Sequence, residues 1–236
     1  MSAFLTAHWQ NLVMANYRVD PEILKPYLPI HTELDYYDGH AYASLVGFLF
    51  ADTRLKGMKI PFHVNFEEVN LRFYVRHHDG KEWKRGVVFI KEIVPRAAIT
   101  WVANTIYHEK YATHLMKHSF SFDEDHLSLE YAWKHAGSWN SLKALVRPAS
   151  VPMLPGSEEE FIAEHYWGYS RYDADTTYEY EVTLPAWEVY PLLQYDIQCD
   201  FGTLYGPAFA ALQQAVPHSV FVAKGSPVAV LPKRKL

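Results

Sequence analysis

The sequence predicts an α+β fold built on a closed or strongly curved antiparallel sheet, and three observations predict it. Val69, Leu71, Phe73 and Val75 alternate with Glu68, Asn70, Arg72, Tyr74 and Arg76, the period-2 pattern of a strand. The composition is 49% hydrophobic and 16% aromatic, a supply that suits pleated surfaces and excludes a disordered chain. Many short strand-like segments, split by turn residues, are interrupted by only two or three helical stretches.

A first strand is expected over Trp9–Tyr17, followed by a short helix with Asp20 as N-cap and Pro21 at its first position. Pro26 and Pro29 stop that helix. Strands follow at 41–50, 67–76 and 86–94, the last ended by Pro95. The residues Ala97–His108 read as the best internal helix, with Ile99, Val102, Ala103 and Ile106 on one face. Short strands are expected within 118–146, turning at Ala136-Gly137. Ser157-Glu158-Glu159-Glu160 matches a capping box, so a helix should run to about Tyr166, with Gly168 as its C-terminal cap. Strands at 177–184, 193–201, 219–223 and 227–231, with a helical turn at 207–215, complete a single domain over 1–236.

At a net charge of −5 the chain has no broad positive field, so nucleic acid is not an expected partner. Its one cysteine, Cys199, reads as a buried inert thiol. No run approaches the roughly 18 apolar residues of a membrane span, and the first residues lack the pattern of a signal peptide. A cytoplasmic location with no membrane partner is therefore expected. No Gly-rich phosphate loop or Gly-x-Ser-x-Gly elbow is present, and no cofactor is expected. Among thirteen histidines, His114 and His118 are four apart, but His108-Glu109 does not continue into His-Glu-x-x-His, so no metal site is expected.

The run Tyr17-Arg18-Val19-Asp20-Pro21-Glu22-Ile23-Leu24 through Leu28-Pro29, with Glu68 to Val75, resembles the YqjF-like family of uncharacterised bacterial proteins. Gly86-Val87-Val88-Phe89, Glu164-His165-Tyr166 and Pro185-Ala186-Trp187 extend the resemblance over nearly the whole chain. It implies an acetoacetate decarboxylase-like fold, a curved antiparallel β-barrel with a few short helices around a ligand cavity. In that comparison Glu68 matches a cavity carboxylate, with Glu67 next if the register slips. The Schiff-base lysine of those decarboxylases follows a proline and has a lysine neighbour. Here the stretch reads Val94-Pro95-Arg96-Ala97-Ala98, and a guanidinium forms no imine. Gln10 stands near the place of their first-strand arginine. Decarboxylation by their route is not expected.

The candidate site residues follow from that cavity. Glu68 is the candidate acid/base, and Arg72, Asn70 and Tyr74 are candidate ligand-binding residues, Arg72 as a bidentate anion anchor. Arg72 reads equally as an ion-pair partner of Glu68. Lys91 is the one lysine in a strongly apolar strand and a candidate amine. Strict alternation puts it with Val87, Phe89 and Ile93, and a lysine protecting an outer face or edge is the competing reading. The expected ligand is a small acidic or keto metabolite, with an apolar-ligand carrier or an interaction scaffold as alternatives. A homo-oligomer stays compatible with the sequence.

Overall fold

The computed structural model describes residues 2–236. Strand β1 (Leu5–Val19) opens the chain, and Asp20 caps α1 (Pro21–Leu24), its side chain accepting from the Glu22 N–H at 2.9 Å. A short β2 (Glu33–Leu34) precedes three long strands, β3 (Ala41–Leu55), β4 (Phe66–His78) and β5 (Trp83–Val94). The segment expected as one helix to His108 divides instead. It is α2 (Ala97–Val102), then a π turn over Ala103–Tyr107, and His108 ends it with a left-handed backbone at φ 56°. Strand β6 (Tyr111–Thr113) begins just beyond, so the chain must turn there.

The next strands, β7 (Met116–Phe122), β8 (Leu127–His135) and β9 (Ser138–Val146), form two hairpins. The second turns at Ala136 and Gly137, both at positive φ, where the glycine carries no steric cost. After β10 (Val151–Pro152), Ser157 caps α3 (Glu158–Ala163) by accepting from the Glu160 N–H. That helix is shorter than expected. Trp167–Arg171 is strand β11, and Gly168 lies within it rather than capping a helix. The chain ends with β12 (Thr177–Thr183), β13 (Glu188–Tyr190), β14 (Leu192–Gln198), α4 (Phe201–Tyr205), β15 (Ser219–Val230) and β16 (Arg234–Lys235). Phe201, expected in a strand with Cys199, opens α4, whose N-cap Asp200 accepts from Thr203 N–H.

The structure is mostly β-sheet with few short helices. One sheet orders its strands β10-β13-β15-β1-β3-β4-β5-β11-β12-β16, and β12 also pairs β15, so the path of pairings returns on itself. Pairing is antiparallel except beside β5, which runs parallel to both β6 and β11. The chain reaches β6 through α2 and β11 after passing through the second sheet, and both connections return it in the direction of β5. Gly168 makes that corner possible, because a Cβ on it would stand 2.1 Å from the Tyr180 ring.

The second sheet, ordered β14-β9-β8-β7, packs on the outside of the first. Val13, Leu45, Val69, Leu71 and Phe73 face Leu129, Tyr131, Trp133 and Leu142 in one dry core. Burying each such side chain stabilises by about 1.5–3 kcal/mol. A second apolar cluster, with Leu12, Val46, Phe48, Phe50, Phe66 and Trp187, lies on the other face of the same strands. That inner face does not close into solid packing.

Candidate functional site

The inner cluster surrounds a cavity of about 350 Å³. Its walls are mainly apolar, with Trp9, Phe48, Phe50, Phe66, Phe89 and Trp187 among them. Strand β4 contributes Glu68, Asn70 and Arg72 to the lining, side by side on one strand face. All three are buried, at 2%, 1% and 9% exposure. Glu67, the alternative register, points the other way and meets His118 Nδ1 at 2.6 Å. The period-2 reading of β4 therefore orients its side chains correctly.

Glu68 is bound at both oxygens. Asn70 donates to Oε1 at 2.9 Å and the Tyr111 hydroxyl to Oε2 at 3.0 Å. Burial raises its pKa to about 7, against the opposing pull of those two donors and of the Arg72 charge. Arg72 forms no ion pair with Glu68. Its Nη2 donates to the Ile162 carbonyl at 3.3 Å, and Nε has no hydrogen-bond partner among the described residues. A buried guanidinium without a carboxylate bonded to it is costly to keep.

Two of the expected residues lie elsewhere. Tyr74 does not line the cavity. Its hydroxyl donates to Ser44 Oγ at 2.7 Å, and Ser44 donates on to Asn16 at 2.6 Å. Its ring packs against Phe161 and His165, and of these His165 lines the cavity. Lys91 also faces away, its ammonium donating to the Leu204 carbonyl near α4. The cause is a β-bulge: Leu71 pairs with Lys91 but Arg72 pairs with Phe89, leaving Ile90 extra. The added residue flips the alternation, so Phe89 lines the cavity, Lys91 does not, and Glu92 does.

Glu92 was not singled out by the sequence reading, nor were Glu109, Tyr111, Tyr180 and His165, which all line the same cavity. Glu92 is 2% exposed and its Oε2 has no hydrogen-bond partner among the described residues. Burial raises its pKa well above the carboxylate range, and the neighbouring Glu109 and Glu68 raise it further. Glu109 accepts from the Tyr180 hydroxyl at 2.9 Å, and burial lifts its pKa to about 8. His165 Nε2 lies 3.2 Å from Asp35 Oδ2, and Arg85 Nε donates to the same oxygen at 2.7 Å. Burial raises the Asp35 pKa, but the bonds from His165 and Arg85 outweigh it and hold that carboxyl below its usual value. Burial drops the pKa of His165 to about 4, so the ring is neutral and Nε2 carries the proton given to Asp35. Its Nδ1, without a partner, is then an acceptor. A charge inside an apolar strand was the available signal for Glu92. Among the described residues no cluster of three or more acidic, histidine or cysteine donors is arranged to hold a metal ion.

Residues 6–227 match the family DUF2071, described as "Uncharacterized conserved protein". The chain belongs to that family. It is 30% identical over 172 residues to "Uncharacterized protein YqjF" of Bacillus subtilis, a match covering 72% of this chain and 66% of that protein. The chain thus spans just under two thirds of the length of that relative, and the resemblance read from the opening motif and β4 is borne out. Among solved structures, acetoacetate decarboxylase from Legionella pneumophila aligns with a TM-score of 0.66 at 13% identity, covering 99% of this chain and 88% of that one. An acetoacetate decarboxylase-like enzyme from Sphingomonas wittichii gives 0.65 at 11%, covering 100% and 94%. The enduracididine biosynthesis enzyme MppR, complexed with pyruvate, gives 0.68 at 12%, covering 100% and 91%. At such identities the likeness shows the fold. No helix among the described residues is long and apolar enough to cross a membrane.

Proposed function

We propose that the ring of strands is a barrel enclosing a binding site for a small carboxylic or keto acid with an apolar body. Arg72 holds the carboxylate, Asn70 and Glu68 line its polar end, and Glu68 is the group placed for proton transfer. The observation that carries this reading is Arg72: buried, in the cavity wall and without an ion-pair partner among the described residues. The pyruvate bound by one protein of the same fold supports the ligand class. An imine route has no support, because Lys91 lies outside the cavity lining and Arg96 is an exposed guanidinium. The reading treats residues 1–236 as one cytoplasmic domain whose partner is a small molecule.

A second reading rests on the aromatic walls: the site carries an apolar molecule and Arg72 contributes nothing. A thermal-shift screen separates the two, using wild type and Arg72→Ala against aliphatic 2-keto acids and the matching neutral ketones. A ligand at 100 times its dissociation constant adds about 2.7 kcal/mol of stability. Stabilisation by the acids that vanishes in Arg72→Ala supports the anion site. Equal shifts for acids and ketones, unchanged in the variant, move the assignment to the apolar carrier. No shift with either class refutes both.

A further inference from the structure

Three neighbouring strands bring a second carboxyl group to the Glu68 site. The bulge at Ile90 turns Glu92 inward, where it stands opposite Asn70 across the β4–β5 ladder and diagonal to Glu68. Strand β6 runs parallel beside it and places Tyr111 next to Glu92. The Tyr111 hydroxyl reaches Glu68 from there. Glu68 and Glu92 therefore share one wall of the cavity, with Arg72 further along the same strand.

We propose that Glu68 and Glu92 act as a base and an acid that enolise a carbonyl compound held by Arg72. The proposal rests on the anion-site reading above and adds a reaction to it. Glu68 takes the proton from the carbon next to the carbonyl group. The C–H pair becomes the C=C bond of the enol, and the carbonyl π pair moves onto oxygen. That oxygen takes the proton of the Glu92 carboxylic acid. Reversal returns a proton from Glu68 to carbon and one from the enol to Glu92. No oxidant, reductant or second substrate is consumed.

Each role has its own structural ground. Glu92 has no cation bonded to it, and its Oε2 is buried, unpartnered and in the cavity wall. A carboxyl group in such a place keeps its proton and donates it to an acceptor that enters the cavity. Glu68 has two fixed donors and the Arg72 charge nearby, which favour its carboxylate form relative to Glu92. Two carboxyl groups whose surroundings separate their proton affinities divide into base and acid. Arg72 is the independent evidence for a ligand, because an anion there would complete its hydrogen bonding.

The probe is 4-methyl-2-oxopentanoate, whose carboxylate fits Arg72, whose branched chain fits the apolar walls and whose C3 methylene carries the labile hydrogens. Proton NMR in D2O reads the loss of the C3 signal, and thermal shift reads binding on the same samples. Wild type is expected to exchange C3 on the order of 100-fold faster than buffer. Glu68→Gln and Glu92→Gln, near-isosteric variants, should each lose that acceleration while the keto acid still stabilises them. Glu67→Gln, on the outer face, is the control that keeps it. Stabilisation of the wild type with exchange at the buffer rate overturns the enolisation while leaving the binding site intact. Exchange that survives Glu92→Gln overturns its role as the acid. Neither stabilisation nor exchange refutes the binding site and the reaction together.

Discussion

The two faces of strand β4 are equally buried and do opposite things. Val69, Leu71 and Phe73 on the outer face are fully covered by the second sheet, in contact with apolar neighbours throughout. Glu68, Asn70 and Arg72 on the inner face are hidden to nearly the same degree, yet Asn70 Oδ1 and Arg72 Nε lack partners. Burial alone does not distinguish a core from a site. The distinction lies in whether the buried groups are satisfied: the outer face supplies stability, and the inner face costs stability in a way that a ligand would offset.

The largest expected effect is on the outer face. Phe73→Ala should cost about 3–5 kcal/mol in chemical denaturation, the range for a large aromatic deleted from a packed core. A loss below about 1 kcal/mol would mean that the sheet-to-sheet core is not close-packed. At the corner that carries Tyr180, Gly168→Ala should cost about 1–3 kcal/mol, because the new Cβ collides with a ring that holds Glu109 in place. Differential scanning calorimetry reads that loss as a lower Tm.

The inner face should show its character in pH dependence. Glu68 and Glu109 have folded pKa values of about 7 and about 8, and Glu92 lies well above 4.5, the ordinary value for all three. The folded state holds protons that the unfolded chain has released above pH 4.5. Their contribution is therefore fully present below pH 4.5 and is lost as pH rises, through about 7 for Glu68 and about 8 for Glu109, by about 1.4 kcal/mol per pH unit for each of those two protons. His165 acts in the other direction: its value of about 4 against 6.5 costs stability as pH falls from 6.5 to 4. Glu92→Gln should make the decline of stability above pH 4.5 shallower, read as the pH slope of stability in urea titrations. An unchanged slope would mean that Glu92 titrates normally. The smallest effect is expected at Glu67, half-buried beside His118, where Glu67→Gln should shift stability by no more than about 1 kcal/mol.

How much of this was legible in the sequence follows the same contrast. Alternation along 67–76 gave both faces of β4, and with it Glu68, Asn70 and Arg72. It could not give Glu92, because a single bulged residue at Ile90 reverses the parity of everything after it in β5. Counting straight through groups Lys91 with Val87 and Phe89 and puts Glu92 on the opposite face, whereas in the structure Phe89 and Glu92 line the cavity together and Lys91 does not. Glu109 and Tyr111 enter through a left-handed turn at His108, where helical spacing still looked favourable. Tyr74 followed the right face of the right strand, but a serine at position 44 captured its hydroxyl from the neighbouring strand. Long-range partners of that kind leave no local pattern. Gly168 looked like a helix end because a glycine after an amphipathic stretch usually is one, whereas here it makes room for the Tyr180 ring.

The most direct test of the inner face as a ligand site is a crystal structure with 4-methyl-2-oxopentanoate. The account predicts the carboxylate within hydrogen-bonding distance of the Arg72 guanidinium, the keto oxygen at Glu92, and C3 next to Glu68. A ligand bound in the cavity with its carboxylate away from Arg72, or density only outside the ring of strands, would contradict it.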